Sequence, residues 1–131
     1  MKEVMAIIRA NKINQTKKAL VDAGLPSFTA NRCMGRGNRP VDFEMLEALK
    51  NETEDSADVL PSLSQGARLI PKRLLSMVVP PEQVSRVVQL LMEVNRTGTQ
   101  GDGKIFVMPV TEVYRVRTRE EGLSAIDEMA G

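Results

Sequence analysis

A chain of 131 residues with 42% hydrophobic side chains and a single cysteine must rely on an apolar core rather than disulfides, and three phenylalanines, one tyrosine and no tryptophan make that core aliphatic. Eighteen basic and seventeen acidic residues nearly cancel, which excludes the cationic surface of a nucleic-acid binder and, with so few aromatics, a base-stacking platform. The absence of histidine removes the commonest general base and metal ligand, so Ser-His, Cys-His and histidine-based zinc sites are excluded within the chain, and binding is favoured over catalysis.

Val4-Met5-Ala6-Ile7-Ile8 predicts a buried strand. The apolar run at the start is too short for a secretory signal and no stretch approaches a membrane span, so a reducing, cytoplasmic location without membrane insertion is expected. Asn11 is placed to cap a helix running to about Ala23, with Ile13, Leu20 and Ala23 inward and Gly24 to Pro26 as its stop. Residues 27–34 predict a second strand, with Cys33 read as a buried thiol. From Val41 to Leu60 seven acids face Lys50 alone, a net of −6, so the rest of the chain carries +7. Residues 36–70 are therefore read as a long exposed excursion.

Leu74-Leu75-Ser76-Met77-Val78-Val79 predicts a third strand. Pro81 suits a first helical position, and Val84, Val87, Val88, Leu91 and Val94 then fall at i, i+3, i+4, i+7 and i+10, the stripe of an amphipathic helix. Ile105-Phe106-Val107 begins a fourth strand. The alternation Val113, Tyr114, Arg115, Val116, Arg117 predicts a further strand or strand extension, with both arginines on one face, and the last dozen residues form a small terminal helix or a loose tail. Ile8, Ile13 and Leu20 recur at the spacings of Val79, Val84 and Leu91. Two strand–helix–strand halves predict an α+β, ferredoxin-like βαββαβ sandwich in a single domain, residues 1–131: an antiparallel sheet with helices on one face. The open sheet face predicts self-association.

"GTQGDGK", residues 98–104, spells G-x-x-x-x-G-K without the following Ser or Thr. A Walker phosphate loop needs a strand before it, a helix after it and a hydroxyl for magnesium. Here a helix precedes, a strand follows, and Ile105 cannot ligate a metal. Two readings remain: a helix-to-strand turn in which Gly98 ends the helix and Gly101 and Gly103 take positive φ, or a backbone anion site in which closely spaced N–H groups and Lys104 converge on phosphate. Arg115 and Arg117 would complete a clamp in the second case.

"TGTQGDGKIFVMPVTEVYRVRTREE" resembles the C-terminal signature of the PII signal-transduction proteins, T-G-x-x-G-D-G-K-I-F-V followed by R-x-R-T. The stretches "MKEVMAIIRANKI", "IPKRLLSMVVPPEQV" and the "GRG" at 35–37 fit as well, so the likeness covers residues 1–35 and 70–121. The resemblance implies a trimer that binds ATP or ADP, with Mg2+ accompanying ATP, in clefts between subunits. It implies 2-oxoglutarate as effector and a T-loop, here residues 36–70, that docks onto targets, with a C-terminal tail from about 119 to 131. Carried over residue by residue, Gly101, Asp102 and Gly103 line the phosphates and Lys104 contacts them. Arg115 and Arg117 hold phosphate, at least one from the neighbouring subunit. Ile7, Thr29 and Val78 border the adenine, Gly35 and Gly37 form the loop base, and Lys72 pairs with 2-oxoglutarate.

Arg39 stands where many family members carry a glutamine that ligates magnesium and 2-oxoglutarate. An arginine cannot ligate the metal but pairs with a carboxylate or phosphate. The excursion holds no tyrosine, which excludes uridylylation there. Its length and the opening "GRGNRPVDFEMLE" look most like the second, longer-looped member of the PII-like pair encoded with nitrogenase. That branch implies a nitrogenase component as target and a homotrimer or a mixed oligomer with the paired PII-like protein. Two competing functions remain open: regulation of an ammonium channel, which this arginine-free loop middle disfavours, and slow nucleotide hydrolysis using Asp102 and magnesium.

Overall fold

A computed structural model describes residues 1–25, 27–37 and 69–126. Most of the expected excursion, Arg39 included, and the last five residues of the tail lie outside the described residues. Four strands, β1 (Lys2–Arg9), β2 (Thr29–Gly35), β3 (Ile70–Val79) and β4 (Lys104–Pro109), and two helices, α1 (Ile13–Asp22) and α2 (Val84–Asn95), follow in the order β1-α1-β2-β3-α2-β4. The sheet order is β2-β3-β1-β4 and every neighbouring pair is antiparallel. This is the ferredoxin-like arrangement expected from the two strand–helix–strand halves.

Alternation along the central strands decides which face is buried. Val4, Ala6 and Ile8 of β1 stand opposite Met77, Leu75 and Arg73 of β3, and all six point toward the helices and are buried. The apolar stripes of the helices close over them: Ile13 and Leu20 from α1, Val87 and Leu91 from α2. Leu20, Leu75 and Leu91 are 0%, 0% and 1% exposed, and each such burial stabilises the fold by about 1.5–3 kcal/mol. The internal repeat is a repeat of structure. Ile13 and Val84 each open an α-helix, each after a 3₁₀ turn, Ala10–Lys12 and Pro81–Gln83.

The helices are joined by buried polar contacts. Asn95, at the end of α2, donates from its amide to the Thr16 hydroxyl on α1 (3.2 Å) and to the Leu91 carbonyl (2.9 Å), while Thr16 donates to the Lys12 carbonyl (2.7 Å). Arg86 on α2 donates to the Ala23 carbonyl, which closes the end of α1.

Several local expectations differ from the structure. Asn11 lies inside the 3₁₀ turn rather than capping α1, whose N-cap Lys12 makes no side-chain capping bond. The third strand begins at Ile70, four residues before the expected start, because Pro71 keeps its extended geometry and pairs opposite Met34. Cys33 is half-buried rather than buried. The alternating segment after β4 is not a strand. Tyr114 makes one bridge to Glu121, residues 116–118 turn, and Arg119 adopts φ 64°. Beyond Pro109 the Val110 N–H bonds to the Met1 carbonyl, and among the described residues the segment 113–122 then pairs with itself.

Candidate functional site

The glycine loop is built at the end of the sheet where β1 finishes and β4 begins. Helix α2 ends at Asn95, Arg96 is already extended, and Gly98, Gly101 and Gly103 take φ of 85°, 100° and 107°. Gly98 therefore acts three residues beyond the helix, not as its terminus. Gly103 is required for a second reason: a Cβ there would lie 1.9 Å from the Ile7 carbonyl oxygen. The loop runs directly against the backbone of β1 as it enters the Ile7–Lys104 pair.

Asp102 folds the loop onto itself. Its carboxylate accepts hydrogen bonds from the N–H groups of Thr97 (2.8 Å) and Gly98 (2.9 Å) and from the Thr97 hydroxyl, and it pairs with Arg9. The Thr97 hydroxyl first, then the backbone N–H groups and Arg9, hold its carboxyl well below the usual carboxylate range despite partial burial. Arg9 reaches the Thr99 hydroxyl (3.1 Å) and the Gln100 carbonyl (3.0 Å) as well. Lys72, opposite Arg9 in the β1–β3 register, donates to the Gly101 carbonyl (3.0 Å). Burial lowers the Lys72 pKa, and the neighbouring Arg9 lowers it further.

This corner has a chemical consequence. In a planar trans peptide the C=O and the next N–H point in opposite directions. With the Gln100 and Gly101 carbonyls turned onto Arg9 and Lys72, the N–H groups of Gly101 and Asp102 turn away from those cations. Successive N–H groups oriented this way, followed by an exposed Lys104, suit an anion. The one acid of the loop is already neutralised internally, so it does not repel phosphate.

The expected ligand residues fall into two groups. Gly35, Lys72, Ile7 and residues 101–104 gather at one end of the sheet, since Gly35 pairs with Ile70, Lys72 with both Cys33 and Arg9, and Ile7 with Lys104. Gly37 follows two residues beyond β2. Thr29 and Val78 share the helix-free face with Ile7, but Thr29 pairs with Ser76 and Val78 with Glu3. Val78 lies six positions from Lys72 on β3, roughly 20 Å along the strand. The chain that carries Arg115 and Arg117 leaves the sheet at the Lys2–Pro109 end, where the Val110 N–H bonds to the Met1 carbonyl.

A cavity of about 660 Å³ adjoins the loop on the helix side, between α2 and β4, lined in part by Leu91, Met92, Arg96 and Ile105. It lies across the sheet from Ile7. Sequence reasoning did not single out Arg9. Its only signal was a basic residue ending an apolar strand, on the face away from the core.

Comparison with known proteins accords with this architecture. The family described as nitrogen regulatory protein P-II matches residues 1–120. Nitrogen fixation nifHD region GlnB-like protein 2 of Methanobacterium ivanovii is 47% identical over 127 residues, 96% of this chain and 99% of that protein. The protein of the same description from Methanococcus maripaludis is 44% identical over 128 residues, 96% of this chain and 100% of its own length. Among solved structures, Arabidopsis thaliana PII bound to citrate superposes with a TM-score of 0.71 at 30% identity, covering 98% of this chain and 91% of that one. The signature at 97–121, the two-fold repeated βαβ architecture and these full-length likenesses agree: the chain belongs to the P-II family of nitrogen regulatory proteins.

Proposed function

We propose that the chain is a non-catalytic cytoplasmic sensor that binds ATP or ADP, reads 2-oxoglutarate, and controls nitrogenase through contacts made by residues 36–70. The observation that carries this reading is the split of the expected ligand residues between opposite ends of one sheet face. A single adenylate does not reach both ends of one chain. It bridges two copies, with the glycine loop and Lys104 of one holding the phosphates. Thr29, Val78 and the Arg115–Arg117 hairpin of the next close over it. Such a head-to-tail contact repeats until it closes a ring, and the family resemblance implies a ring of three. The same contact covers the open sheet face. Exchange of copies with a paired PII-like protein gives the mixed oligomer.

Mg2+ arrives with ATP, and 2-oxoglutarate places a carboxylate at Lys72, beside Arg9, with Arg39 as a second cation for it. Binding biases the loop only by as much as its affinity differs between two loop states. The seven acids between Val41 and Leu60 give the loop charge complementarity to a basic target surface. A nitrogenase component as target is supported by the nifHD-region names of the most similar relatives.

Purified nitrogenase assayed with the wild-type chain and with a form lacking residues 41–60 tests the loop. The deletion is expected to abolish control while ATP binding persists. Control retained by the deleted form would refute the role of the loop.

A further inference from the structure

Arg9 ends β1 and Asp102 closes the glycine loop, and each is taken up by the residues between 97 and 102. The Asp102 carboxylate accepts four hydrogen bonds. Oδ1 receives the Arg9 guanidinium and the Thr97 hydroxyl, and Oδ2 receives the N–H groups of Thr97 (2.8 Å) and Gly98 (2.9 Å). An ionised carboxylate has about four lone-pair sites and donates nothing. A metal ion therefore reaches Asp102 only by displacing one of these donors.

Arg9 matches it from the other side. Nη1 donates to Asp102 and to the Thr97 hydroxyl (3.3 Å), and Nη2 donates to the Thr99 hydroxyl (3.1 Å) and the Gln100 carbonyl (3.0 Å). The two hydroxyls fall into one order. Because the carboxylate only accepts, Thr97 donates to it, and Thr99 then donates to Thr97 (2.7 Å). The network is consistent proton by proton, and the Arg9 and Asp102 side chains are only 23% and 22% exposed.

Resting on the nucleotide reading above, we propose that Arg9, Thr97 and Asp102 form a clasp: positioning residues that hold the glycine loop in its phosphate-binding shape and touch neither phosphate nor metal. Asp102 then serves the site through its backbone N–H, while its side chain ties the loop to β1.

Competing roles differ in sign. Were Asp102 a magnesium ligand, Asp102→Asn would weaken ATP binding in Mg2+ and not in EDTA. Were it only a negative charge beside the phosphates, its removal would tighten binding by Coulomb attraction. Were Arg9 a phosphate ligand held back by Asp102, Asp102→Asn would release it and again tighten binding. A clasp requires weaker binding in both media, because the loop must then be ordered at the moment of binding.

The experiment is calorimetric titration of the full-length protein with ATP, in excess Mg2+ and in EDTA. The samples are wild type, Arg9→Gln, Asp102→Asn, their double variant, Thr97→Ala and Thr97→Ser, with amide hydrogen exchange at Thr97 and Gly98 measured on each. Expected are losses of about 3- to 10-fold for Arg9→Gln and for Asp102→Asn, alike in the two media, with the double variant no weaker than the weaker single. Thr97→Ala loses about threefold or more, and Thr97→Ser, which keeps the hydroxyl, binds like wild type. Thr97 is exposed, so this pair keeps the test if either charge variant unfolds. Exchange at Thr97 and Gly98 accelerates in Arg9→Gln, Asp102→Asn and the double variant. Unchanged or tighter ATP binding by Asp102→Asn in EDTA overturns the clasp. Additive losses for Arg9→Gln and Asp102→Asn overturn it too, as does a Thr97→Ser variant as weak as Thr97→Ala. A wild type that binds no ATP refutes the nucleotide reading itself, and this appears before any variant is compared.

Discussion

Replacing Gly103 by alanine tests the loop geometry most severely. The new Cβ would lie 1.9 Å from the Ile7 carbonyl oxygen and 3.0 Å from its carbon, so reaching even a 3.0 Å contact with the oxygen requires the loop to retreat by about 1.1 Å. That retreat opens the Ile7–Lys104 pairing, which costs roughly 1 kcal/mol for each hydrogen bond lost. A φ of 107° adds strain for any residue with a side chain, about 1–3 kcal/mol. The expected destabilisation is about 3–5 kcal/mol, a large share of the ~5–15 kcal/mol that holds a domain. Gly98→Ala is the control. It shares a positive φ, 85°, but a Cβ there meets nothing within 4 Å, so only the strain of about 1–2 kcal/mol remains. Urea unfolding followed by far-UV circular dichroism, at one protein concentration because association adds to stability, measures both. Equal midpoints for the two variants would refute the close approach of loop and strand.

The Asp102 carboxyl is held well below the usual range, so its contribution is complete above the unfolded value of about 4 and is lost as pH falls toward the lower folded value. Wild-type stability should therefore decline more steeply than that of Asp102→Asn between about pH 4 and pH 2; superimposable profiles would contradict the hydrogen-bonded carboxylate. Asn95→Ala breaks the buried link to Thr16 and should cost about 1–3 kcal/mol. A cycle with Thr16→Val should show coupling of about 0.5–1.5 kcal/mol, whereas strict additivity would show that the two residues act separately.

Much of this architecture was written in periodicity. Alternation in β1 and β3 and the 3.6-residue stripe of α2 each report which face is wet, and the matched spacings of Ile8, Ile13 and Leu20 with Val79, Val84 and Leu91 gave the duplicated topology. What failed was the use of local pattern where distant partners decide. Val113 to Arg117 alternates like a strand, but a strand needs a neighbour, and among the described residues this segment pairs only with residues 119–122. Asn11 has the side chain of a cap, yet the backbone tightens into a 3₁₀ turn one residue before a cap is needed.

The site was half legible. Glycines with positive φ were readable because only glycine tolerates that backbone. The partnership of Arg9 with residues 97–102 was not, since nothing local connects positions about ninety residues apart in sequence. For the same reason Asp102 reads as a phosphate-lining acid in the signature, while in the structure its carboxylate is occupied in folding the loop that carries it.

The central claim is that the Gly101–Lys104 loop holds nucleotide phosphates, and it meets its most direct test in calorimetric titration of ATP into the wild type and Lys104→Ala at matched ionic strength. Lys104 is exposed at the first position of β4, so its truncation leaves the fold and the melting temperature in place. The expected result is a wild type that binds ATP and a variant weakened by about tenfold or more, as befits loss of a charged hydrogen bond. Equal affinities, in two proteins that melt alike, would contradict the claim.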